Sequence, residues 1–254
     1  MFKFIISLTT IPSKFDKINY VIDSLIKLNN DKFVEKIIIH IPRIYSFRFD
    51  NKSIPQEQID NFLNKYSKYN IHINYMDTDF GPGTKLIGLF HTNLINFNDD
   101  SLNDKFIIIL DDDLYYKSHM IQYFNRVLKK NPTLNFASYK TYKLDQITIA
   151  EGCSCFFIKP SILSNFMQYY NDIKDYDYIN YHDDVYISYF LHLKKIPIYY
   201  LKPHYNHRIY VLTSITRLDT LHTLTGKYSR ANLVIELTKL LQTFETSDKF
   251  NYLK

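Results

Sequence analysis

Phe106-Ile107-Ile108-Ile109-Leu110-Asp111-Asp112-Asp113 is the stretch on which the fold turns. Its first five residues form the most apolar run of the chain and read as a strand buried on both faces. The run passes without a spacer into three carboxylates. Adjacent like charges repel, so a fold keeps such a triplet where cations or strong donors compensate it. Hard oxygen ligands in that number suit Mg2+ or Mn2+, and such a cation would in turn hold a diphosphate. The competing reading is a solvated acidic turn.

Upstream of this strand, short apolar runs alternate with helical patterns. Residues 2–8 read as a strand ending at Thr9-Thr10-Ile11-Pro12, and Ile18, Val21, Ile22, Leu25 and Ile26 then recur at helical spacing. Residues 34–41 are the next strand, closed by Pro42; Ile59, Phe62, Leu63 and Tyr66 mark a second helix, and residues 71–75 a third strand. After Gly81-Pro82-Gly83, the spacing of Leu86, Leu89, Phe90 and Leu94 predicts another helix. This β-α-β-α-β-α-β order implies an α/β fold, a Rossmann-like, mostly parallel central sheet with right-handed crossovers and helices on both faces. Open parallel sheets bind ligands beyond the carboxyl ends of their strands. Here those ends are followed by Thr9-Thr10, Arg43, Asp77 with Asp79, and the acidic triplet, so the edge is polar and acidic.

Downstream the pattern is less regular. Residues 135–158 read as several short strands, including 147–150 and 155–158; helical patterns follow near 161–170 and 185–193. Residues 198–201 are another strand and 231–243 a final amphipathic helix. With no internal repeat, low-complexity tract or linker, residues 1–254 are expected to form one domain. Its nucleotide-binding half reaches to about residue 115, and a smaller, more irregular half runs from about 116 to 254.

Composition narrows the function classes. A hydrophobic fraction of 46% with 22% charged residues is that of a globular chain with a real core. The net charge of +5 suits a small anionic ligand, but basic and acidic residues are interleaved without a basic block, which argues against nucleic acid. The 23 tyrosines and 19 phenylalanines beside only 5 glycines reflect codon bias more than function, so packing is the default reading for most rings. Cys153 and Cys155 sit too close for an unstrained bridge and lack a second pair for zinc; reduced thiols are expected. No apolar run approaches the ~18 residues that span a bilayer, and residues 4–6 are too short for a signal-peptide core. No integral membrane segment and a cytoplasmic location (the host cytoplasm if viral) are therefore expected; oligomeric state is left open.

Four segments in order carry a family resemblance: Ser7-Leu8-Thr9-Thr10-Ile11-Pro12 with Lys14; Asp79-Phe80-Gly81-Pro82-Gly83-Thr84-Lys85-Leu86; Asp111-Asp112-Asp113; and Glu151-Gly152 followed by His182-Asp183-Asp184. Over nearly its whole length, to about residue 210, the chain resembles DxD-type glycosyltransferases of the GT-A fold, and among them an uncharacterised family with members in bacteria and large DNA viruses. The resemblance implies a metal-dependent transfer, with Mn2+ or Mg2+, of a sugar from a nucleoside diphosphate sugar to a hydroxyl acceptor on a glycan, protein or small molecule. UDP-sugar is the favoured donor, a hexosyltransferase the expected class and inversion the favoured outcome.

By the same resemblance Asp113 binds the metal directly, and Asp111 faces either the donor ribose or the metal through water. Strand alternation turns Asp112 away from both and ranks it third. Thr9 and Thr10 lie beside the base; Lys85 approaches the base or the diphosphate, its charge favouring the latter. Gly81-Pro82-Gly83 is no Walker A loop, because the Lys-Ser/Thr spacing is absent. Gly152 either brings backbone close to the donor sugar or forms a strand bulge. Asp183 and Asp184 precede a helical run, so one is read as a helix cap and the other as functional. Asp184 is the candidate general base, with Asp183 as orienting neighbour or cap. For a histidine metal ligand, spacing favours His207, then His204, then His222.

Three other readings compete. A haloacid-dehalogenase-type phosphotransferase needs Thr or Val where Tyr115 stands, and its first acid lies on the first strand. A sugar nucleotidyltransferase needs a Gly-rich loop with Arg or Lys close to the N-terminus. The third is a catalytically inactive GT-A-like scaffold that binds sugar nucleotides or glycans.

Overall fold

The computed structural model describes residues 2–28, 33–117, 119–144, 147–152, 155–176, 179–202, 210–211, 235–236, 238–240, 242–243 and 248–253. Strands β1 (Lys3–Thr9), β2 (Val34–Pro42), β3 (Ile71–Met76) and β4 (Lys105–Leu110) run parallel, joined through helices α1 (Ile18–Leu28) and α2 (Gln56–Lys65) and the short helix α3 (Thr84–Ile87). Beyond β4 come β5 (Leu114–Tyr115), α4 (Met120–Lys130), β6 (Phe136–Ser138), β7 (Thr141–Leu144), β8 (Ile147–Ala150) and β9 (Phe156–Ile158). Then follow α5 (Phe166–Ile173), α6 (Asp183–Leu193), β10 (Tyr199–Tyr200) and β11 (Tyr210–Val211). The central sheet has seven strands in the order β3-β2-β1-β4-β9-β6-β10. Within it β9 alone runs antiparallel to its neighbours. Two small antiparallel pairs, β7 with β8 and β5 with β11, flank it.

Strand β4 shows why its sequence lacks alternation. Phe106, Ile108 and Leu110 pack into the core on one face with Val21, Ile22, Leu25 and Phe124 of α1 and α4. Ile107 and Ile109 point the other way, against Leu86 of α3 and Tyr186 and Phe190 of α6. Both faces are covered, so both sets of side chains are apolar. The carboxyl ends of β1, β2, β3 and β4 share one edge, where the residues after Thr9 and Leu110 meet.

One expectation needs correction, and one element is new. The single helix expected after Gly81-Pro82-Gly83 is broken: α3 has four residues and passes at Gly88 into a 3-10 turn, Gly88–His91. A Cβ at Gly88 would overlap the His40 ring, so the packing that demands glycine also sits where helix propensity is low. Helix α4, whose Met120, Ile121, Phe124, Val127 and Leu128 are buried at helical spacing, was not anticipated. Of the final helix, only 235–236, 238–240 and 242–243 are described, all helical. Among the described residues no helix is long and apolar enough to cross a membrane.

Candidate functional site

The site begins where β4 stops. The Tyr116 hydroxyl accepts the Asp111 backbone N–H (3.1 Å) and donates to the Asp111 carbonyl (3.0 Å), while Tyr116 N donates to Ser24 Oγ (3.1 Å). This fully buried tyrosine folds the chain back after Asp111, and Asp112 and Asp113 lie in the turn. Strand alternation therefore ends at Leu110, and the acids do not divide as a strand would divide them. Asp111 turns to Lys85, whereas Asp112 and Asp113 share Lys14.

Both lysines are buried, at 4% exposure for Lys85 and 8% for Lys14. Lys85 Nζ lies 2.6 Å from Asp111 Oδ1 and 3.2 Å from Asp183 Oδ2. Lys14, carried by the 3-10 turn Pro12–Lys17 after β1, reaches Asp113 Oδ2 at 3.2 Å and Asp112 Oδ1 at 3.5 Å. Burial by itself would lower each lysine's pKa. The carboxylates outweigh it, Asp112 and Asp113 around Lys14 and Asp111, Asp183 and Asp184 around Lys85, and hold both ammonium groups above the ordinary lysine range.

The second pair of acids comes from α6. His182 is the N-cap residue and its side chain makes no capping hydrogen bond, so neither aspartate stands at the expected cap position; both stand in the first turn. There the helix dipole favours negative charge. Asp184 Oδ1 accepts the Gly152 N–H at 2.7 Å, and Ser188 Oγ accepts the Ala150 N–H at 2.9 Å, so two hydrogen bonds dock α6 on the end of β8. Burial first, then repulsion by Asp183, pushes the Asp184 carboxyl up to about 8 despite Lys85 and the Gly152 N–H. A Cβ at Gly152 would stand 2.7 Å from Asp184 Oδ1 and 3.1 Å from the Phe156 ring, so only glycine lets the backbone come this close. Glu151 forms an ion pair with Lys140.

The remaining anticipated residues lie around this core. Thr9 Oγ1 donates to the His40 carbonyl (2.8 Å), and the Thr10 carbonyl accepts from the Tyr45 hydroxyl (2.9 Å). Thr10 Oγ1 and Asp112 Oδ2 are buried and have no hydrogen-bond partner of good geometry among the described residues. Burial first raises the Asp112 carboxyl, against the pull of Lys14. Asp79 ties two loops together, because its carboxylate accepts both the Phe47 N–H (3.0 Å) and the Gly81 N–H (2.9 Å). His207, with His204 and His222, lies outside the described residues, as does Cys153; Cys155 is buried.

Sequence reasoning missed Lys14 as a site residue and Tyr116 altogether. Lys14 stands in the Ser7–Pro12 motif region, but no pattern said which acids it would meet.

The donors here are all carboxylate oxygens, the chemistry that Mg2+ and Mn2+ take. The side chains of Asp111 and Asp113 are 26% and 28% exposed against 11% for Asp112, so those two can reach a ligand. Among the described residues no group of three or more His, Cys, Asp or Glu side chains converges as a metal site. Two carboxylates suit a cation that takes its other ligands from a diphosphate and water.

No protein-family model and no curated protein matches this chain. Solved structures do. TarS 1–349 from S. aureus aligns over 97% of this chain and 66% of its own, with TM-score 0.55 and 14% identity. The mannosyltransferase PcManGT from Pyrobaculum calidifontis, solved with GDP-Man and Mn2+, aligns over 79% of this chain and 55% of its own, with TM-score 0.52 and 11% identity. The chain thus spans 66% and 55% of the length of these two structures. At these identities the likeness is one of fold: an α/β, GT-A-like fold with a seven-stranded, mostly parallel sheet flanked by helices.

Proposed function

We propose that this chain is a glycosyltransferase that moves a sugar from a nucleoside diphosphate sugar, UDP-sugar first among donors, to a hydroxyl acceptor with inversion. The observation that carries the reading is one juxtaposition: Asp111–Asp113 at the end of β4 and Asp183–Asp184 at the start of α6, bridged by Lys85 in a GT-A-like fold. Fold alone does not give function; the paired acids at the ligand-binding edge of the sheet support it.

In this reading residues up to about 115 hold the donor and the remainder faces the acceptor, within one domain. Asp113 and Asp111 would hold the cation, which when bound offsets charge on the leaving diphosphate. Thr9 and Thr10 line the base side, and Lys85 keeps Asp111 and Asp183 at fixed separation. Asp184 takes the proton of the acceptor hydroxyl as its oxygen attacks the anomeric carbon and the C–O bond to the diphosphate breaks. A carboxyl near about 8 is close to working pH, where a general base is most effective. Gly152 N–H holds one of its oxygens, fixing the carboxylate's orientation, and Asp183 stays on Lys85.

The test is nucleotide release from a panel of UDP-, GDP-, CDP- and dTDP-sugars with Mn2+, with calorimetry for binding. Donor-dependent release with the product anomer opposite to the donor's, read by NMR, supports the proposal. Binding of a nucleotide sugar without release under any acceptor supports the inactive scaffold, and retained configuration removes the role given to Asp184.

A further inference from the structure

His40 lies fully buried in β2 and takes no part in the proposed transfer. Its ring stands between two polar side chains from neighbouring strands: Asn74 Nδ2 is 2.9 Å from Nδ1, and Ser7 Oγ is 3.0 Å from Nε2. Ser7 in turn donates its hydroxyl to the backbone carbonyl of Lys85.

The direction of this chain of hydrogen bonds can be worked out. The Asn74 amide nitrogen also faces the Gly88 carbonyl (3.3 Å) and Met76 Sδ (3.2 Å), which accept hydrogen bonds and cannot donate them. The nitrogen end of the amide therefore points inward, and an N–H is offered to His40 Nδ1. That nitrogen must carry a lone pair, which leaves the proton on Nε2 and aims it at Ser7 Oγ. With its lone pair engaged, the Ser7 hydroxyl spends its proton on the Lys85 carbonyl. Burial agrees, since it pushes the imidazole down to about 3 and keeps one proton on the ring at neutral pH. Gly88, which could not carry a Cβ here, packs against the same ring.

We propose that Asn74, His40 and Ser7 are positioning residues that hold the backbone of Lys85 against the sheet in one register, so that its ammonium group spans Asp111 and Asp183. Helix α3 is only four residues long and cannot fix Lys85 by its own ladder. The relay supplies an anchor from β1, β2 and β3 together. The catalytic consequence rests on the transferase reading, but the anchoring itself does not.

The experiment reads Lys85 directly in the full chain without donor. Amine acetylation is followed residue by residue by mass spectrometry at pH 7.5, with Lys14 as internal control, since it is similarly buried yet touches no part of the relay. Ser7→Ala is expected to speed acetylation of Lys85 about tenfold, the scale of one lost buried hydrogen bond, and to leave Lys14 unchanged. Asn74→Leu, which removes the group that fixes the tautomer, should give the same selective change. Nitrogen NMR of the wild-type imidazole should find the Nε2–H tautomer. A Lys85 rate unmoved by either variant, equal acceleration of Lys14 and Lys85 through general loosening, or an Nδ1–H tautomer each overturns the proposal. A chain that turns over no nucleotide sugar leaves the acetylation result standing.

Discussion

Replacing Lys85 by Met keeps most of the buried stem and removes the charge, so it isolates the ammonium group. In the native chain that group is 4% exposed, 2.6 Å from Asp111 Oδ1 and 3.2 Å from Asp183 Oδ2. Removing one partner of a buried pair costs about 3–5 kcal/mol, because the charge left behind is uncompensated. Asp111 is 26% exposed and partly hydrated, which favours the low end, about 3 kcal/mol. At this chain length that is a fall in Tm of roughly 6–12 °C. The deficit should depend on pH, because the stranded carboxylates escape by protonating. Their folded pKa values rise in the variant, so the variant binds more protons folded than unfolded and loses stability as pH rises from about 4 upward. Lys85 itself does not titrate in that window, since its pKa lies above the ordinary lysine value near ~10.4. Thermal and urea unfolding at pH 5.0 and 7.5 measure this. A loss under about 1 kcal/mol at pH 7.5, or one equal at both pH values, would refute the claim that Lys85 is the counter-charge of the two acids.

Asp184→Asn preserves an acceptor for the Gly152 N–H but has no proton to lose. Because the native carboxyl is raised to about 8, its contribution favours folding at low pH and disappears as pH climbs to 8. The variant should therefore gain stability over wild type between pH 5 and 8, by at least about 1 kcal/mol after discounting for partial exposure. A Tm difference that narrows over that range contradicts this. In the same variant donor binding should persist while transfer falls at least about a hundredfold, the scale of a lost general base. Gly83→Ala would drive a Cβ into the Tyr186 hydroxyl. It should cost about 1–3 kcal/mol, and Tyr186→Phe in the same chain should recover part of that, a coupling read by a double-mutant cycle. Chelation should abolish nucleotide-dependent turnover, and Asp113→Ala should remove metal-dependent nucleotide binding with circular dichroism unchanged; a loss of folding would make Asp113 structural.

The parts of this molecule legible in its sequence are those governed by periodicity. β4 could be read because a strand covered on both faces must be apolar throughout, and the order of strands and helices before it gave the parallel sheet. Asp183 and Asp184 were visible as acids opening a helix, but their roles within its first turn were not. Capping depends on backbone angles at one residue, His182, which no pattern of residue types specifies. The ranking of Asp112 below its neighbours rested on alternation extended past Leu110, whereas Tyr116 reaches back from five residues on to end the strand, and it is burial in the turn that sets Asp112 apart. α3 gives way at Gly88, where the His40 ring on β2 leaves room only for glycine, a residue of low helix propensity. Lys14 meets acids nearly a hundred residues away, and such pairings are set by topology, not by composition.

The electrostatics of the site connect the lysines to the proposed chemistry. Asp111, Asp112, Asp113, Asp183 and Asp184 face two ammonium groups, Lys14 and Lys85. Fully ionised, the cluster carries three net negative charges, and two when Asp184 keeps its proton, as a carboxyl near about 8 does at neutral pH. A diphosphate approaching that surface is repelled unless positive charge lies between them. Drawing on the lysines would not solve this, because each is committed to carboxylates that would be left bare in a buried place. The two remaining charges match one divalent cation, and the two most exposed acids of the triplet, Asp111 and Asp113, are the ones open to it. The same addition of positive charge would favour ionised Asp184. Cation binding and readiness of the base would then be coupled, with the charge of the diphosphate acting in the opposite sense.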